Sequence, residues 1–192
     1  MKHTYTDSQI KDLARLAAAD YASTCEGPTI RGRNGEKEFR GRTKAQRAKA
    51  LDISVEKAEQ LGLSNESMAE VALRLGLTWA EAQERLIDLA TATFDEMSEH
   101  WRNTNIESAK DMIELMESMG GKGIILAIDF ENKAQRLEYG SRLHQLWLEQ
   151  PANSWAKGGE LDRPFADLDP AEQDKDIQQL VSLQKWLRAM QD

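Results

Sequence analysis

The sequence predicts an all-α protein of about seven helices, built as an antiparallel bundle-like core around one long central helix. Three observations carry that prediction. Only four prolines occur, while Ala, Glu, Leu, Gln, Lys and Arg, the strongest helix formers, are abundant. Helix-start signatures recur: Thr6 with Gln9 and Thr78 with Glu81 have capping-box spacing, and Asp169-Pro170-Ala171-Glu172 sets a cap, a first-turn proline and an acid in order. Apolar residues between these signals repeat at three- and four-residue intervals.

Taken in order, Ile10, Leu13, Leu16, Ala17 and Tyr21 follow the Thr6 signal and predict a first helix to about residue 24. Residues 26–42 hold four glycines, a proline and the Asn34-Gly35 pair, which reads as a long loop or a short hairpin. Thr43 is placed to cap a helix through Leu51, and Ser54 a third that Gly62 ends. Residues 64–75, Gly76 and the Thr78 box form a helix-turn-helix-like corner. From 79 to 102 there is neither Gly nor Pro, and Ala82, Leu86, Leu89, Thr93, Met97 and Trp101 make one stripe, so a single central helix is expected. Another helix is expected over 105–119, ended by Gly120-Gly121. The apolar run 124–128 admits a strand or a helix; the spacing of Leu126, Phe130, Ala134, Leu137, Ser141, His144 and Leu148 favours one helix over 123–149, stopped by Pro151. Ile177, Leu180, Leu183 and Leu187 carry the last helix from Pro170 to the end. This organisation divides the chain at 1–103 and 104–192.

At 192 residues, with 40% hydrophobic and 30% charged residues, the chain has enough apolar material for a good core, and disorder is not expected. The single cysteine, Cys25, excludes an internal disulfide, and neither an export signal nor a membrane span is visible, so a cytoplasmic protein is expected. The net charge of -8 hides an asymmetry: residues 29–50 hold eight basic residues against two acidic ones, a local +6 that leaves -14 elsewhere. A basic strip on an acidic body suits phosphates, or it clasps the body's own acids or a second copy. Arg31, Arg33, Arg40, Arg42, Lys44 and Arg47 are therefore candidate nucleic-acid contacts, with Phe39 available to stack on a base. The corner at 68–87 is a poor DNA reader by itself, because Glu81 and Glu84 would repel phosphates and only Arg85 is positive.

Catalytic constellations are not visible. His3, His100 and His144 lack metal-ligand spacing, and Cys25 has no His partner, so neither a metal nor a cofactor is expected. Residues 125–132 resemble the first strand of NYN/PIN-type nucleases, with Asp129 and Asn132 as metal-binding residues, but no further strand ending in Asp follows. Glu81 with Glu84 and Glu96 with Glu99 resemble the acidic pairs of all-helical nucleotide pyrophosphohydrolases. On one uninterrupted helix the pairs would stand about 22 Å apart and share no metal.

The most pointed cluster lies between residues 143 and 176. His144 and Trp147 are three apart and share a helix face, Trp155 sits among loop-forming residues, and Phe165 follows Pro164. If the loop folds back, these rings line a pocket with Asn153, Lys157 and Arg163 at its polar edge; the alternative is that they pin the loop between the last two helices. The order H-x-x-W, W-x-x-G, P-F-x-x-L, E-x-x-K-D resembles the ryanodine-receptor (RyR) repeat domain family, whose small stand-alone copies occur in bacteria and bacteriophages. It departs from the family in the short stretch between Trp155 and Pro164 and in Gln145, where an acid is expected. The resemblance implies a helix-loop-helix recognition module without a defined reaction, for a small ligand such as a nucleotide or for a protein partner. Expected partners are therefore that ligand or protein, nucleic acid as the alternative, no membrane, and a second copy if the 82–101 stripe self-pairs.

Overall fold

The computed structural model describes residues 5–149, 156–159 and 161–191. Among them the protein is predominantly α-helical, with nine α-helices and one two-stranded sheet, which agrees with the all-α, bundle-like expectation. No helix among the described residues is long and apolar enough to cross a membrane. The chain forms two compact units, residues 21–104 in one and residues 1–20 with 105–192 in the other. The expected division grouped 1–103; here the first twenty residues cluster with the C-terminal part.

In the 1–20 and 105–192 unit, α1 (Asp7–Thr24) opens on the Thr6–Gln9 box: Thr6 N–H donates to Gln9 Oε1 (2.9 Å) and Gln9 N–H to Thr6 Oγ1 (3.3 Å). Ile10, Leu13, Ala14 and Ala18 form its buried face. α6 (Glu99–Ser118) starts six residues before the expected helix, directly after Ser98, whose Oγ accepts from Trp101 N–H (3.4 Å). Met112, Ile113 and Met116 are its core residues. α9 (Pro170–Ala189) packs against both α7 (Lys122–Ala127) and α8 (Lys133–Glu149). It buries Leu180, Leu183 and Leu187. Asp20 ties α1 to α9, accepting from Ser182 Oγ (2.7 Å) and Lys185 Nζ (3.0 Å).

The single helix expected over 123–149 is two helices. The apolar run is helical only through Ala127, so the strand alternative falls. Three side chains then break the helix. Asp129 Oδ1 accepts from Glu131 N–H (3.0 Å), Asn132 Oδ1 caps Ala134 N–H (3.0 Å), and the Asp129 N–H donates to Gln135 Oε1 (2.8 Å). The carbonyls freed at the end of α7 are answered from α9, where the buried Gln184 donates to Ile125 O (2.9 Å) and Ile128 O (3.0 Å). Asp129 and Asn132 are thus turn and cap residues, and the strand on which their nuclease resemblance rested is absent.

In the 21–104 unit, α2 (Lys44–Ala50), α3 (Val55–Gln60), α4 (Met68–Leu75) and α5 (Trp79–Arg85) start on Thr43, Ser54, Ser67 and Thr78, each of which accepts a backbone N–H through its hydroxyl. Gly76 ends α4 at φ 67°, a left-handed position that favours glycine. The expected central helix ends at Arg85. Leu86–Asp88 (β2) instead pairs antiparallel with Ile30–Gly32 (β1), Gly32 opposite Leu86 and Ile30 opposite Asp88. The pairing buries Ile30 and Leu86 with Phe39, Val71, Ala72 and Ala82, which outweighs the weak preference of an isolated amphipathic segment for helix. Asp88 Oδ1 then accepts from Thr29 N–H (2.8 Å) and Ala90 N–H (3.0 Å), turning the chain. The acidic pairs Glu81–Glu84 and Glu96–Glu99 therefore do not lie on one helix, and the continuous 82–101 stripe expected to pair with a second copy is split.

Candidate functional site around His144

α8 carries Gly140, Leu143 and His144 on its buried face, one to four residues apart as helical spacing requires. α9 brings Asp176 to the same place, an acid that stands one turn before Leu180 in an otherwise apolar stripe. His144, only 4% exposed, is bonded at both ring nitrogens: Nδ1 lies 3.0 Å from Asp176 Oδ2 and Nε2 3.1 Å from the Leu161 carbonyl oxygen. A carbonyl only accepts, so Nε2 carries a hydrogen. The Asp176 hydrogen bond, opposed by burial and aided by its charge and by the Leu161 and Arg163 carbonyls, holds the His144 pKa above the ordinary value. Burial likewise pushes the Asp176 carboxyl up, against the pull of His144.

Aromatic rings surround this pair. Trp147 lies nearly parallel to the imidazole, centroids 5.9 Å apart at 17°, and Phe165 is tilted against it at 6.4 Å. Phe165 sits on a 3-10 turn (Phe165–Asp167) and packs with Leu168 and Ile177, bordered by Phe130, Leu161 and Val181. Its approach depends on Gly140, where an added Cβ would lie 2.3 Å from Phe165 Cζ. The loop before it is tight: Asp162 Oδ2 accepts from Gly158 N–H (2.7 Å), and Gly158 has φ 74°.

Of the residues singled out in the sequence, His144, Trp147 and Phe165 come together. His144 and Phe165 are buried and Trp147 is half-buried, so the described rings form a packed cluster that pins the loop. Lys157 and Arg163 are exposed on that loop. Asn153 and Trp155 lie outside the described residues. Sequence reasoning passed over Asp176, Gly140 and the Leu161 carbonyl; an acid within the α9 apolar stripe was the one available signal. A groove of about 370 Å³ opens on another face of α8, lined by Leu115 and Ser118 of α6 with Ser141 and Leu146.

The basic segment meets its own unit. Lys44 Nζ is 2.5 Å from Glu59, and Arg47 reaches Glu70 (2.8 Å) and the Ser64 carbonyl (2.7 Å). Arg31 donates to the Ile30 carbonyl (2.8 Å) and Arg33 Nε to the Gln83 carbonyl (3.1 Å). Arg40 and Arg42 are exposed. Phe39, expected to stack on a base, is buried, with the Arg85 guanidinium 4.3 Å above its ring. Among the described residues no group of three or more His, Cys, Asp and Glu side chains is arranged to hold a metal ion. No family model, curated protein or solved structure matches this chain.

Proposed function

We propose that this protein is a non-enzymatic binding module whose C-terminal unit recognises a small anionic, nucleotide-like ligand or an acidic protein partner at the surface beside Trp147. One observation carries the reading: a single imidazole ties the helix bearing the half-buried Trp147 to the loop bearing exposed Lys157 and Arg163. An indole edge and two cations held on a common support suit a planar anionic ligand, because little ordering entropy remains to be lost on binding. The resemblance to the RyR repeat points the same way. The test is a thermal-shift screen of adenine nucleotides and cyclic dinucleotides, with a pull-down from lysate. Stabilisation by a nucleotide that Lys157→Ala with Arg163→Ala abolishes is the expected result; no shift with any of them and no partner retained overturns it.

A second reading, nucleic-acid binding through the 21–104 unit, is supported by the bond from Arg33 to Gln83 and the stacking of Arg85 on Phe39, which join the basic segment to the helical corner. It requires affinity for a DNA or RNA duplex that falls steeply with salt and is lost when Arg40 and Arg42 become Gln. Absent or salt-independent binding at low ionic strength removes it.

A further inference from the structure

His144 stands between two acceptors, the Asp176 carboxylate and the Leu161 carbonyl. Both bonds can exist in two proton arrangements. Either the ring is an imidazolium donating from both nitrogens to a carboxylate and a carbonyl, or a protonated Asp176 donates to Nδ1 while Nε2–H serves Leu161. The two share one composition, with a single proton between Nδ1 and Oδ2. Removing that proton leaves one ring N–H for two acceptors, and one bond must fail. A buried carboxylate without a donor costs more than a carbonyl without one, so the remaining hydrogen moves to Nδ1 and Leu161 is released.

We propose that His144 is a proton-controlled latch: with the shared proton present it fastens the segment around Leu161 to α8 and α9, and loss of that proton unfastens Leu161 and loosens residues 161–168. Of the charged groups on the elements around the pair, those on α8 and α9 are matched and those on the loop are turned to solvent. On α9, Lys175 Nζ is 2.6 Å from Glu172 Oε1, and Arg136 of α8 pairs with Asp174 (2.5 Å). On the loop, Asp162 accepts from Gly158 N–H, Arg163 is exposed, and Asp167 on the 3-10 turn is exposed. None of these donates to the Leu161 carbonyl among the bonds described, so His144 is its side-chain fastener. The raised proton affinity of the ring places the release on the alkaline side of ordinary histidine titration. The latch does not depend on what the unit binds.

The test uses the full chain, uniformly labelled with ¹⁵N, between about pH 5 and about pH 9, on either side of the ordinary histidine pKa of about 6.5. Ring-nitrogen NMR follows His144, and amide hydrogen exchange follows residues 161–168 after correction for the intrinsic pH dependence. The expected result is loss of the Nε2 proton with retention of Nδ1–H, together with an about three- to tenfold fall in protection of 161–168 at the same midpoint. Asp176→Asn provides an independent check. Its side-chain amide donates to Nδ1 of a neutral ring, Nε2–H stays on Leu161, and protection becomes independent of pH. Protection unchanged through the His144 midpoint, loss of the Nδ1 proton instead, no titration below about pH 9, or an Asp176→Asn variant that keeps the pH dependence would each overturn the proposal. The wild-type titration decides the question even if a variant fails to fold.

Discussion

The Phe165 ring fills the space that a side chain at residue 140 would occupy, with Cζ 2.3 Å from where a Gly140 Cβ would stand. Gly140 lies in the middle of α8, where Ala would otherwise gain about 1 kcal/mol of helix propensity. The overlap involves a buried ring and outweighs that gain. Gly140→Ala is expected to destabilise the C-terminal unit by roughly 1–3 kcal/mol in urea unfolding, and Phe165→Leu in the same chain to recover part of the loss. Stabilisation by Gly140→Ala alone would show that the ring does not press on α8.

Gln184 answers two carbonyls at once, at Ile125 and Ile128. Gln184→Leu keeps the shape but strands the Ile128 carbonyl in the core and leaves Ile125 O with the Ile128 N–H alone (3.2 Å). It should cost about 1–3 kcal/mol. A melting curve indistinguishable from wild type would mean that the end of α7 finds other donors.

Glu66, although buried, accepts from Arg74 Nε (3.2 Å) and Nη2 (2.9 Å) and from Arg42 N–H (2.9 Å). Burial is the largest single influence and raises its pKa, but the Arg74 hydrogen bonds, the Arg42 N–H and both guanidinium charges together hold it below the ordinary glutamate value. A depressed folded pKa contributes stability that is fully present above the unfolded value, about 4.3, and is lost as pH falls through the folded value. Acid unfolding of the 21–104 unit should therefore be less steep in Glu66→Gln, which starts less stable by roughly 1–3 kcal/mol at neutral pH. Identical acid limbs for the two proteins would refute this.

The His144–Asp176 pair has the opposite sign. Both groups hold the shared proton more tightly when folded, so the folded state binds more protons and stability falls as pH rises. The histidine contribution is complete below its unfolded value of about 6.5 and is lost as pH climbs through the folded value, while the raised Asp176 carboxyl adds a loss that begins above its own unfolded value of about 3.9. Melting temperature should decline over that window in wild type and stay level in Asp176→Asn.

Leu86 is fully buried opposite Gly32, on the strand that replaced the expected helix. Leu86→Ala should cost about 2–5 kcal/mol and loosen the β1–β2 pairing, read by amide exchange at Arg31 and Ile87. A cost near zero, as for a solvated helix position, would contradict the pairing.

How much of this was legible depends on the reach of the signal. Thr6, Thr43, Ser54 and Thr78 announced four helix starts, because a cap is satisfied within three or four residues of itself, and Pro170 marked a fifth, where the expected Asp169 side-chain cap makes no hydrogen bond. The His144, Trp147 and Phe165 grouping was visible as spacing plus aromatic content. The proton chemistry was not, since it depends on Asp176, 32 residues away, and on a backbone carbonyl that carries no sequence mark. Ser67 as the α4 cap and Ser98 as the α6 start were hidden among several polar candidates.

By itself, then, the sequence determined the helical class, most helix starts, the left-handed stop at Gly76 and the basic segment. The tertiary structure decided where two long amphipathic runs break. A helix propagates through i to i+4 bonds, and an apolar stripe continues it unless something distant offers more. For residues 86–88 that offer is a strand at 30–32, and at Ile128 it is the amide of Gln184, 56 residues along the chain. Such partners leave no trace in local periodicity, because the free energy that selects them is gained only when the core closes.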